Sequence, residues 1–121
     1  MRGRDDVVNA CIALIYGDQV DPALVIAMSG PGAARYVEGP PRDDAYWLRV
    51  WGVRGLLWAW EPIAMQALLT ALGDEHWRVR EMALKVVARY GIAPAVEEAR
   101  RLLNDPVPRV RAAAVRALAN L

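Results

Sequence analysis

Apolar positions recur along this chain on two scales. On the shorter scale, Val8, Cys11, Ile12 and Ile15 stand at the spacing of one helix face. Asp5 or Asp6 just before them can cap that helix, and Gly17-Asp18 ends it after about Tyr16. Asp21-Pro22 pairs an N-cap residue with a proline at the first helical position and opens a short helix to about Met28, which Ser29-Gly30-Pro31-Gly32 then breaks. On the longer scale, the pattern repeats every 31 residues. Pro31, Ala33, Ala34 and Val37 align with Pro62, Ala64, Met65 and Leu68, and these with Ala93, Ala95, Val96 and Ala99. Each group predicts the first helix of a unit, over about 31–38, 62–72 and 94–103. Each ends at a residue that tolerates a left-handed turn: Gly39, Gly73 and Asn104.

An acidic residue then opens a second helix. Asp43, Asp74 and Asp105 stand 31 apart, and each is followed five places on by an apolar residue and then by Arg49, Arg80 or Arg111. A carboxylate there can accept amide hydrogens of the first turn and suits the positive end of the helix dipole. Second helices are predicted over about 44–60, 75–90 and 106–121. Four columns run down them: Leu48/Val79/Val110, Gly52/Ala83/Ala114, Val53/Leu84/Val115 and Leu56/Val87/Leu118. At 100° per residue they form one broad apolar face, and the small column marks where neighbouring helices can approach closely. A fixed period of this length is the signature of stacked helical units.

Paired helices, a turn aspartate and Val-Arg five and six residues later resemble HEAT repeats, and the short period is similar to the subtype called PBS-lyase HEAT-like repeats. The resemblance covers about residues 31–121 and is strongest in the last two units. It implies an all-α fold, a right-handed α-solenoid of about three antiparallel helix pairs, with the second helices on the concave face. It also implies that Asp43, Asp74, Asp105 and Arg49, Arg80, Arg111 form a structural ladder between units. Residues 1–30 do not share the register and are expected to be an N-terminal helical cap. The repeats are expected at 31–61, 62–92 and 93–121.

Composition narrows the function more than it defines it. The chain has 121 residues, 15 basic and 14 acidic side chains and a formal charge of +1, so no overall field draws it to nucleic acid or membrane. The run Val7 to Tyr16 is too short to span a bilayer, and its acidic flanks fit a signal peptide poorly. Cys11 is the single cysteine and reads as a small buried hydrophobe. A cytoplasmic protein with no membrane association is expected.

The chemistry-bearing residues do not assemble into a catalytic set. One His and one Cys lie in different elements, so no metal or other cofactor is implied. Ser29 sits in a Gly-Pro turn, and Ser-Gly-Pro-Gly lacks the Gly-Lys-Ser/Thr end of a phosphate-binding loop. The acidic doublets fall at or near helix starts, where capping accounts for them. His76 reads as a surface histidine at a turn. The expectation is a non-enzymatic protein; a bilin-lyase activity, which the subtype's name suggests, has no catalytic group behind it here.

A stripe on the second helices carries the functional signal. Trp47, Trp51, Arg54 and Trp58 share one arc in the first unit. Arg78, Met82, Lys85 and Arg89 match them in the second, and Arg109, Ala113, Arg116 and Asn120 in the third. The stripe points about 130° from the apolar face, and Arg54/Lys85/Arg116 is basic in every unit. Basic residues beside tryptophans suit an acidic protein segment, or nucleic-acid phosphates with stacked bases. Equally, the tryptophans can be core, packed under the apolar helices of residues 5–29, and the basic column a solvated face. The functional expectation is a protein-binding scaffold or adaptor, with Arg54, Lys85, Arg116, Arg78, Arg89, Arg109, Trp47, Trp51 and Trp58 as partner-binding residues; nucleic-acid binding on the same stripe is the alternative. The last helix continues the apolar pattern to Leu121 without a polar capping unit; a second copy in a homo-oligomer, or another partner, can cover that flank, and a chain cut from a longer one would show the same pattern.

Overall fold

A computed structural model describes residues 4–17 and 46–121. Helix α1 spans Arg4–Tyr16 and α2 spans Tyr46–Gly55. A 3-10 turn, Pro62–Ala64, leads into α3, Met65–Leu72, which is followed by α4, Trp77–Tyr90. A second 3-10 turn, Ala93–Ala95, leads into α5, Val96–Arg101, which tightens into a third, Leu102–Asn104. Helix α6, Pro108–Ala119, closes the described chain. There is no strand among the described residues, and no helix among them is long and apolar enough to cross a membrane. The helix predicted over 21–28, the break at 29–32, the first helix at 31–38 with its end at Gly39, and Asp43 lie outside the described residues.

The elements form two layers. α1 packs on α2, α2 on α4 and α4 on α6, so the second helices lie side by side with α1 at their edge. α3 and α5 form the other layer, each packed on the second helix of its own unit. This is an all-α, HEAT-like solenoid. The core lies between the layers: Leu68 and Leu72 from α3, Ala99 and Leu102 from the third unit, and Leu56, Val79, Leu84, Val87 and Val110 from the second helices are all buried. The small column does what its size permits. Gly52, Ala83 and Ala114 are all buried, and a Cβ at Gly52 would lie 2.7 Å from Leu14 Cβ and 2.9 Å from the Cys11 carbonyl oxygen. Val115 departs furthest from the predicted columns: it is 59% exposed where Val53 and Leu84 are fully buried, while Leu48 and Leu118 are half-buried. It faces away from α4, where no further described helix packs against it.

Helix ends also differ in detail from the sequence expectation. Pro62 and Pro94 stand in the first turn of their helices, where a missing amide hydrogen costs nothing. The aspartates do not cap the second helices directly. Asp74 Oδ1 accepts the His76 amide at 2.9 Å, and Asp105 Oδ1 accepts the Val107 amide at 2.9 Å. Each thus closes a two-residue turn, and the helices begin three residues later, at Trp77 and Pro108. The left-handed end falls at Gly91, with φ 58°, which closes α4. Gly73 has φ −106°, and Asn104 ends its helix through a 3-10 turn without a positive φ. The α2 helix stops at Gly55 rather than near residue 60; Leu56, Leu57 and Trp58 continue as tight turns, each amide bonding three residues back.

The Asp–Arg repeat is a ladder between units. Arg49 Nε donates to Asp74 Oδ2 at 2.7 Å and its Nη2 to Oδ1 at 3.3 Å. Arg80 repeats the fork on Asp105 at 2.7 and 3.2 Å, and its Nη1 also donates to the backbone carbonyl of Asp74 at 2.8 Å. Arg111 makes the matching bond to the Asp105 carbonyl at 2.7 Å. Arg80 therefore ties the turn of its own unit to the carboxylate of the next, while Arg49 reaches the next unit's carboxylate and Arg111 its own unit's turn. Burial works against ionisation of Asp105, but its hydrogen bonds from Arg80 and the Val107 amide, with the Arg80 and Arg111 charges, outweigh it and hold the carboxyl below its ordinary value of 3.8.

His76 sits beside this ladder as the N-cap of α4. Its Nδ1 accepts the Arg78 amide at 3.2 Å, and its ring stacks on Tyr46 with centroids 3.5 Å apart. Burial, together with the charges of Arg78, Arg49 and Arg80 and against that of Asp74, pulls its pKa below the usual 6.5. A histidine with a depressed folded pKa binds fewer protons folded than unfolded, so its contribution to stability is complete above 6.5 and is lost as pH falls below that value. Wild-type protein is expected to lose melting temperature between pH 7 and pH 5 relative to His76→Asn, whose amide oxygen still caps the helix. Parallel melting curves for the two proteins across that range would discard this role.

Candidate functional site

The second-helix stripe divides into two zones that do different work. The first lies at the helix starts. Trp51 stacks on Trp47 with centroids 6.3 Å apart, and the Arg78 guanidinium lies 5.1 Å from the Trp47 ring and 4.6 Å from the Trp77 ring. The Arg109 guanidinium lies 5.3 Å from the Trp77 ring, and its Nε donates to Glu81 Oε2 at 3.0 Å. Rings and guanidinium groups thus alternate across all three units, within the range where a cation is held by an aromatic face. Glu81 is buried and Arg109 neutralises it. Trp47, Trp51 and Arg78 are half-buried. This zone ties units together, and its cations are already engaged.

The second zone lies toward the helix ends. Arg54, Lys85 and Arg116 are exposed and make no hydrogen bond or ion pair among the described residues. Lys85 and Arg89 from α4 and Arg116 and Asn120 from α6 line one groove of about 390 Å3, over Leu57, Leu84, Ala88 and Ala113. Asn120 Nδ2 donates to the Ala88 carbonyl at 3.1 Å and so braces one helix against the other. At the groove's edge the Arg89 guanidinium lies 5.5 Å from the Trp58 ring and 5.7 Å from the Tyr90 ring. The Tyr90 hydroxyl in turn donates to the Leu57 carbonyl, and its ring stacks on Trp60 with centroids 6.0 Å apart. Arg89 thus lies near two aromatic rings, the anchored Tyr90 and the exposed Trp58, and it forms no ion pair among the described residues.

The nine stripe residues are therefore not one surface. Lys85, Arg89 and Arg116 come together in the groove, Trp58 joins them through Arg89, and Arg54 shares their exposure without lining the groove. Trp47, Trp51, Arg78 and Arg109 belong to the stacked series. Trp58 is 69% exposed, in the turns that follow the end of α2 at Gly55. Sequence counting missed Tyr90 and Leu57 as site residues, and placed Asn120 on the stripe without naming it a binding residue; the signal for Tyr90 was an aromatic beside the last cation of α4, just before the closing Gly91.

Cys11 is buried and its thiol is pushed up to about 12 by that burial, so it is a neutral packing group. Among the described residues no three His, Cys, Asp or Glu side chains converge to hold a metal. A hollow of about 350 Å3 lined by Asp5, Asn9, Glu61 and Ile63 lies where α1 meets the turn before α3, away from the basic groove.

A family model for HEAT repeats matches residues 42–121. No match is found among curated proteins or solved structures.

Proposed function

The chain belongs to the HEAT-repeat family, whose members generally act as protein-interaction scaffolds, and from that premise we propose that it is a non-enzymatic scaffold or adaptor gripping an acidic segment of a partner protein with its second-helix face. The observation that carries this reading is the column Arg54/Lys85/Arg116. All three side chains are exposed, all are cationic, and none is engaged among the described residues, while the cations of the neighbouring zone are neutralised or stacked. Neither capping nor the Asp–Arg ladder uses them. The proposed division of the chain follows the same period, with units at 31–61, 62–92 and 93–121 behind a cap over 1–30. The packing of α1 on α2 supports that cap.

The test is a comparative pull-down with wild-type protein and the triple variant Arg54→Glu, Lys85→Glu, Arg116→Glu. These are surface changes, and the far-ultraviolet circular dichroism should be unchanged. Partner capture is expected to weaken by about tenfold or more, because charge complementarity across an interface is reversed at three points. Retention of every wild-type partner by the variant would show that binding uses another face. Tight, steeply salt-dependent binding of a fluorescent single strand of DNA would instead assign the column to nucleic acid.

A further inference from the structure

The groove between α4 and α6 has more chemistry than a cationic surface, and this carries a sharper statement that rests on the reading above. Its floor is apolar: Leu57 and Ala88 are half-buried beside the buried Leu84 and Ala113. Its rim is cationic on both sides, with Lys85 and Arg89 on α4 and Arg116 on α6. One rim cation, the Arg89 guanidinium, lies 5.5 Å from the Trp58 ring and 5.7 Å from the Tyr90 ring. It offers a planar fork that matches a carboxylate, beside aromatic faces that attract it. A purely electrostatic surface needs neither the apolar floor nor the aromatic neighbours. At about 390 Å3 the groove falls in the size range of pockets that enclose a small ligand, roughly 300–1,000 Å3.

We infer that this groove receives a two-part element of a partner peptide: an apolar side chain set on the Leu57/Ala88/Ala113 floor, next to carboxylates held by Lys85, Arg89 and Arg116. The apolar side chain supplies affinity by leaving water, and the carboxylates supply orientation. Acidity alone is not enough for recognition, and neither is hydrophobicity alone.

Fluorescence anisotropy with three labelled ten-residue peptides tests this. The first alternates aspartate and glutamate around a central leucine, the second carries serine in place of that leucine, and the third keeps the leucine but replaces every acid by its amide. The first peptide should bind. The second should bind about tenfold more weakly or worse, the loss expected for one buried aliphatic side chain. The third should show no saturable binding. Arg89→Lys preserves charge but loses the fork and its stacking, and it should weaken the first peptide several-fold without affecting the melting temperature. Equal affinity for the leucine and serine peptides, or an Arg89→Lys protein that binds the first peptide as wild type does, overturns the two-part element and leaves a plain basic face. Failure of all three peptides, with partner capture still lost in the triple Glu variant, overturns the inference while the scaffold reading stands. Failure of all three with partner capture retained removes both.

Discussion

Replacing Arg80 by methionine is expected to cost the fold about 3–5 kcal/mol, the loss typical when one partner of a buried ion pair is removed. The reason lies in what remains. The Asp105 side chain is 4% exposed and accepts both arms of the Arg80 fork, and Arg80 itself is 14% exposed. Without the guanidinium, a buried carboxylate keeps the Val107 amide but loses its counter-charge, and the Asp74 carbonyl loses a donor. The equivalent rung one unit earlier is wetter, with Arg49 25% and Asp74 12% exposed, so Arg49→Met should cost less, about 1–2 kcal/mol, between the values for surface and buried pairs. Adding Asp105→Asn to Arg80→Met should recover part of the loss, because the amide oxygen can still accept from Val107 while no charge is left buried. Urea unfolding followed by circular dichroism measures all four proteins. A cost for Arg80→Met no larger than for Arg49→Met would show that the ladder is a surface feature and not a frame.

The second large effect is expected at Gly52. The helix α1 reaches the repeats through this residue, with the Cys11 carbonyl and Leu14 Cβ lying where a side chain would begin. Alanine already forces α1 outward, although it gains about 1 kcal/mol of helix propensity over glycine. Gly52→Leu has no room at all and should cost at least about 3 kcal/mol, at the upper end of what overpacking a core produces. It should also undock α1 locally, exposing Val8, Cys11, Leu14 and Ile15, which are all buried. Cys11 reports this directly. Its thiol should react with a disulfide reagent far faster in Gly52→Leu than in wild type, under conditions where α4 and α6 remain helical. A protected Cys11 together with unchanged stability would mean that α1 is not held by this close contact.

These residues also show how far the sequence alone reaches. The 31-residue ruler placed Gly52 with Ala83 and Ala114 at a close helix approach, and the resemblance to HEAT repeats implied the Asp–Arg ladder. It could not show that the aspartate closes a turn before the helix, since both arrangements use the same residue one or two places apart. It overextended α2, because a pattern of apolar and aromatic residues continues past Gly55 while the backbone does not. Val115 matched its column in sequence but lacks a described neighbour, and burial is a property of the pair of helices rather than of the residue. The candidate site was legible as a column of charge. Its division into an engaged zone and an open groove was not, because it depends on contacts such as Arg109 with Glu81, 28 residues apart, for which the period gives no rule.

The claim that the second-helix side is the binding side can be tested with two exposed apolar residues of matched accessibility. Trp58 is 69% exposed at the edge of the basic groove, and Ile63 is 70% exposed on the other layer, beside the acidic hollow. Replacing each in turn by the photoreactive residue benzoylphenylalanine and irradiating the protein with its cellular extract compares the two sides at equal exposure. The expected result is a discrete crosslinked partner from position 58, suppressed by the triple Glu variant, and none from position 63. A partner captured from position 63 and not from 58 would contradict the account and move the binding surface to the opposite layer.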